Sequence, residues 1–217
     1  MTLKSNLKPA EAHVSPFENG SDVTSNVDSG SIVRPMFGQS VSGDAAFTVE
    51  VKGGLLGVIV DVLGHGLEAN NLAVRMQEYL VGQASGDVGR MLSRMHEEFR
   101  GSRGAALGLC LIESANGRTR FAGIGNTVIR RFGESETRLV SRNGVVGGIM
   151  PTPIEGAMQL SFGDTVVMYT DGVKAHFDAS DYLGIRNDPP CAVAANIVDR
   201  FGKSHDDAAC VVMRYQR

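Results

Sequence analysis

The chain has 217 residues, 42% of them hydrophobic and 21% charged, with a formal net charge of -3. That is the composition of an ordinary globular domain, and without a dominant Lys/Arg cluster it argues against nucleic acid as the main partner. No run approaches the roughly 18 apolar residues needed to cross a membrane, and the N-terminus lacks the charged start and apolar core of a signal peptide.

The cysteines Cys110, Cys191 and Cys210 include no Cys-x-x-Cys pair, which predicts reduced thiols in a cytoplasmic protein. Residues 1–30 are rich in Ser, Asn, Asp, Glu and Gly, which predicts a flexible arm, with one folded domain over residues 31–217. Alternation over residues 46–51, a Gly53-Gly54 turn and the apolar run of residues 55–60 predict a hairpin with Asp61 at its exit. Leu72, Met76, Tyr79, Leu80 and Gln83 then recur at helical spacing, and Val88, Met91, Leu92, Met95 and Phe99 do so again. Strands are expected over residues 105–113, 119–124, 128–132 and 137–140, with an Asn116-Gly117 turn between the first two. Four glycines and two prolines mark residues 143–157 as a surface loop. A buried strand over residues 165–170 ends at Asp171, a short helix carries Val193, Ile197, Val198 and Phe201, and residues 208–215 close the chain as a strand. Strands interrupted by paired helices and resumed in antiparallel order predict an α+β fold with helices packed on antiparallel sheets.

The chemistry lies in four acidic motifs: Ser42-Gly43-Asp44, Asp61-Val62-Leu63-Gly64-His65-Gly66, Thr170-Asp171-Gly172 and His205-Asp206-Asp207. Each aspartate lies beside the end of a predicted strand, so one sheet edge can gather them. Gathered carboxylates repel one another unless a hard cation lies between them, which predicts magnesium or manganese and chemistry on phosphate. Asp61 is the candidate to bridge two ions, and the Val62 carbonyl is a further ligand candidate. Any one motif could be a plain turn, and Asp206-Asp207 could be solvated loop charge. The information is in the ordered set.

On these motifs the chain resembles the metal-dependent (type 2C, PPM) serine/threonine protein phosphatases, in their SpoIIE-type branch. The resemblance spans about residues 38–217. It implies an antiparallel β-sandwich flanked by helices and two Mn2+ or Mg2+ ions. It also implies that Asp61 bridges them with help from the Val62 carbonyl, that Asp171 and Asp206 complete one ion, and that Asp44 serves the other directly or through water. The chain departs from the branch where Ala45, Ala46, Phe47 and Thr48 follow Asp44 and where Lys174-Ala175 follow Val173, since members often carry further acids there. Its length, Arg103-Gly104-Ala105 and Gly125-Asn126 resemble the RsbX-like subgroup. That implies a stand-alone phosphatase acting on Ser/Thr phosphates of STAS-domain stressosome scaffolds.

His65 could protonate the leaving oxygen or touch the phosphate, or could cap the next helix. The Asn126 amide could aim at substrate phosphate or serve an ordinary turn. His205 could orient its neighbour Asp206, while His13, His96 and His176 are expected at the surface. Cys110 has no basic neighbour to make it a nucleophile. Two other classes compete: a pseudophosphatase that binds without turnover, and a nuclease or phosphodiesterase, which the charge balance disfavours.

Overall fold

The computed structural model describes residues 26–175, 177–178 and 180–217. Its strands are β1 (Val27–Arg34), β2 (Asp44–Val51), β3 (Gly54–Val62), β4 (Ala105–Glu113), β5 (Arg118–Ile124), β6 (Val128–Phe132), β7 (Thr137–Val140), β8 (Gly156–Gln159), β9 (Thr165–Tyr169) and β10 (Ala208–Tyr215). Helices α1 (Leu67–Gly82) and α2 (Val88–Glu98) lie between β3 and β4, and α3 (Pro190–Phe201) lies between β9 and β10. The strands form two five-stranded antiparallel sheets, ordered β1-β10-β9-β6-β7 and β2-β3-β4-β5-β8.

Period-two alternation divides each strand between two layers. In β3, Leu56, Val58 and Val60 face α1 and α2, while Leu55 and Ile59 face the other sheet. In β10, Ala208, Cys210 and Val212 face α3, while Ala209, Val211 and Met213 turn inward. The result is helices, sheet, sheet, helix, with apolar clusters between successive layers. This is the α+β sandwich expected from the sequence. β4 and β10 are covered on both faces and therefore read as apolar runs over Ala105 to Ile112 and Ala208 to Met213.

Two strands differ from expectation. Residues 27–30, assigned to the arm by composition, form the first half of β1, paired in register with β10. The polar Val27-Asp28-Ser29-Gly30 hides the strand because its packing needs a small residue. A Cβ on Gly30 would lie 2.3 Å from the backbone nitrogen of Cys191, where α3 starts. The rest of the arm lies outside the described residues. β8 begins inside the segment expected to be loop and pairs with β5 at a sheet edge. That segment is also pinned by buried Val146, which bridges to Ala105.

Cys110 and Cys210 are buried, and burial pushes their thiols up, as suits inert core residues; Cys191 is exposed. Among the described residues, no helix is long and apolar enough to cross a membrane.

Candidate functional site

All four motif aspartates reach one edge of the sandwich. Asp44 is the first residue of β2 and stands opposite Asp61 of β3 in the antiparallel register. The Val62 N–H donates to the Gly43 carbonyl at 3.1 Å, which closes the hairpin at that point. Asp171 follows β9 and Asp206 precedes β10, both in the other sheet. The link between sheets is direct: the buried Thr170 hydroxyl donates to Asp44 Oδ2 at 2.7 Å.

Burial first, then the charge of Asp61, pushes the Asp44 carboxyl up from 3.8 to about 9. Burial, then the charges of Asp171 and Asp206, pushes Asp61 up to about 7, with an Asn126 hydrogen bond opposing. Asp206 is also raised, by burial and by Asp171, while Lys203 pulls the other way. None of Asp44, Asp61, Asp171 or Asp206 is in an ion pair among the described residues. Such a cluster carries mutual repulsion, which Lys203 opposes at Asp206.

The donors are carboxylate and carbonyl oxygens, which suits a hard divalent cation. Among the described residues, no three His, Cys, Asp or Glu side chains form a ready-made cage. Magnesium does not require one, because it keeps several waters and takes only one or two carboxylates directly.

Asn126 donates to Asp171 Oδ2 at 2.6 Å. It reaches this place because Gly125 follows the end of β5, and a Cβ added there would lie 2.4 Å from Cβ of Ala106. Ala106 is the β4 partner of Asp61, so only a glycine lets the turn cross there and bring Asn126 over the acids. The amide therefore engages a carboxylate, a role that its sequence position did not suggest.

His65 is exposed beside the Asp61 turn. It does not cap α1, whose N-cap is Gly66 without a side-chain hydrogen bond. Arg103 steadies that turn, donating to the Leu63 carbonyl at 3.2 Å and pairing with Glu68. His205 is exposed. His96 is half-buried and accepts the Gly147 N–H at 3.1 Å, so it is not a free surface residue. His13 and His176 lie outside the described residues.

Sequence reasoning missed Asp207. It is buried, with one oxygen taking the Met36 N–H and the other the Gly43 N–H, both at 2.7 Å. It is a fastener of the Asp44 segment rather than solvated loop charge. The signal available was its place before the apolar run Ala208 to Met213.

The family described as Stage II sporulation protein E (SpoIIE) matches residues 52–216. Compared with curated proteins by sequence, the chain has no match. Among solved structures, it resembles one from work described as "The bacterial stressosome: a modular system that has been adapted to control secondary messenger signaling". That likeness has a TM-score of 0.80 at 23% identity over 87% of this chain and 99% of the other. RsbX in complex with magnesium gives 0.75 at 18% identity over 87% and 94%. The PP2C phosphatase domain of the cell fate determinant SpoIIE from Bacillus subtilis, with a regulatory fragment, gives 0.72 at 19% identity over 87% and 63%. At these identities the likeness is one of fold, and the fold is the PP2C-type sandwich.

Proposed function

The chain belongs to the SpoIIE family, and on that premise we propose that it hydrolyses phosphoserine or phosphothreonine on a regulatory protein with the help of divalent cations. One observation carries this reading: Asp44, Asp61, Asp171 and Asp206, far apart in the chain, meet at one sandwich edge with none of them in an ion pair among the described residues.

Asp61 and the Val62 carbonyl, with Asp171 and Asp206 on one side and Asp44 on the other, would hold magnesium or manganese, two ions in all. Bound there, the ions would lower the pKa of a water toward neutrality and neutralise phosphoryl oxygens in transit. Asn126 holds the Asp171 carboxylate in one orientation. Arg103 fixes the Leu63 carbonyl, and with it the turn that presents Val62. His65, exposed on the same turn, can give a proton to the leaving seryl or threonyl oxygen. The edge is open to solvent at Asp171 and His65, as a folded phosphoprotein requires.

For the substrate we favour a phosphorylated STAS-domain protein of the stressosome scaffold type, acted on in the cytoplasm. The RsbX and stressosome neighbours in fold support this class.

The test is hydrolysis of p-nitrophenyl phosphate with and without manganese, with Asp61→Asn alongside. Metal-dependent turnover that falls at least about a hundredfold in the variant is expected, as for loss of a group acting directly on the transition state. Wild-type protein that is folded, yet neither turns over the ester nor melts higher with manganese, would instead indicate a pseudophosphatase. Release of phosphate from a phosphorylated STAS-domain protein then tests the substrate class.

A further inference from the structure

Ser42-Gly43-Asp44 leads into one sheet, yet two of the groups that hold it come from the other. Thr170, fully buried just past β9, donates its hydroxyl to Asp44 Oδ2 at 2.7 Å and accepts the Ala209 N–H at 3.0 Å. A hydroxyl has one hydrogen to donate, and here the Ala209 N–H on its lone pair leaves that hydrogen for the carboxylate. Asp207, just before β10, takes the Gly43 N–H with Oδ2 and the Met36 N–H with Oδ1. Within the segment, Ser42 Oγ accepts the Asp44 N–H at 3.0 Å, and the Asn70 amide donates to the Ser42 carbonyl at 2.8 Å. The carboxylate of Asp44 and the backbone of Gly43 just before it are thus held from across the sandwich. With Oδ2 accepting from Thr170, the orientation of the carboxylate, and so the lone pairs left to meet a cation, is set by that bond.

We propose that Thr170 and Asp207 are positioning residues for Asp44: from the strand ends of the other sheet they hold its carboxylate in place beside Asp61, where the two sheets meet, and so set the affinity of the cation site. The inference rests on the reading of Asp44 as a cation ligand. It also gives the threonine of Thr170-Asp171-Gly172 a task distinct from that of its aspartate. Both side chains are buried, so each acts through the Asp44 segment. Removing a partner that orients a metal ligand typically costs about 10- to 100-fold in metal affinity.

The experiment measures manganese binding by calorimetry, and turnover of p-nitrophenyl phosphate against manganese concentration. It uses wild type, Thr170→Val, Thr170→Ser and Asp207→Asn, with folding checked by circular dichroism. Valine keeps the shape and loses the hydroxyl, whereas serine keeps the hydroxyl. Asparagine keeps the shape of Asp207 but has only one acceptor oxygen for two N–H groups.

The expected result is a manganese dissociation constant at least about tenfold higher in Thr170→Val, recovered in Thr170→Ser, with turnover at saturating manganese largely restored. Asp207→Asn is expected to weaken binding in the same direction, and it carries the test should the valine variant not fold. Equal manganese affinity in wild type, Thr170→Val and Asp207→Asn would overturn the inference alone, as would a serine variant as impaired as the valine. Wild-type protein that binds no manganese would overturn the cation reading of the site, and this inference with it.

Discussion

Asp44 and Asp61 face each other on adjacent strands, and the folded chain holds their protons more tightly than an unfolded chain would. Between pH 3.8 and about 7 for Asp61, and up to about 9 for Asp44, the unfolded chain has released protons that the folded one keeps. The unfolded state therefore binds fewer protons, and stability falls as pH rises through that window. In the presence of a chelator, the melting temperature is expected to drop from pH 4 to pH 8, and manganese to restore more of it at pH 8 than at pH 5. Asp61→Asn should flatten the drop. A metal-free protein equally stable across the range would contradict the crowding of these acids. Asn126 allows a second check, because a substrate contact and a hold on Asp171 have different signatures. Asn126→Ala is expected to need about tenfold more manganese for half-maximal turnover, with KM for p-nitrophenyl phosphate unchanged. A raised KM at unchanged manganese demand would return Asn126 to a substrate role.

At the scale of elements, α1 and α2 were legible because an apolar stripe at helical spacing survives any change of context. Only Gln83 falls outside the stripe, as the exposed C-cap of α1. α2 is short and starts on a capped turn, with Asp87 accepting the Arg90 N–H at 2.8 Å and Glu155 accepting that of Gly89 at 3.0 Å. Asp87→Ala is expected to cost about 1 kcal/mol, read as a lower urea midpoint at unchanged slope. β1 was not legible. Its mixed burial follows from the helix start resting on Gly30 and from its place at the edge beside β10, neither of which leaves a periodic trace. β8 is a four-residue edge strand within a Gly/Pro-rich stretch, too short for alternation to stand out.

The whole molecule depends on the layer between the sheets, because the aspartates of each sheet meet those of the other only if that layer keeps its thickness. Ile59 lies in it with no exposed surface, two residues from Asp61, against side chains such as Met168 and Val211. Ile59→Ala is expected to cost about 2–5 kcal/mol through the cavity it leaves. Because the cavity opens beside a strand that carries Asp61, Ile59→Val, costing about 0.5–1.5 kcal/mol, should keep near-normal manganese dependence. Thermal melting and manganese titration of both variants check this. An alanine variant as stable as wild type would show that the inter-sheet layer is not the core described here.

The sequence by itself determined the α+β class, the paired helices, most of the strands and the ordered set of aspartates. Each of these rests on a local property: side-chain periodicity, turn residues, or an acid beside a strand end. It did not determine which group each polar side chain engages. Asp206 and Asp207 are neighbours of identical chemistry, yet one stands with the site and the other is buried under the Gly43 and Met36 amides. Successive residues entering a strand point opposite ways, and only the packing of one sheet on the other decides which way is the site. The same holds for Thr170 and Asn126, whose partners lie 126 and 45 positions away in the chain. Hydrogen-bond partners at that separation follow from sheet order and register, which close only when both sheets are assembled.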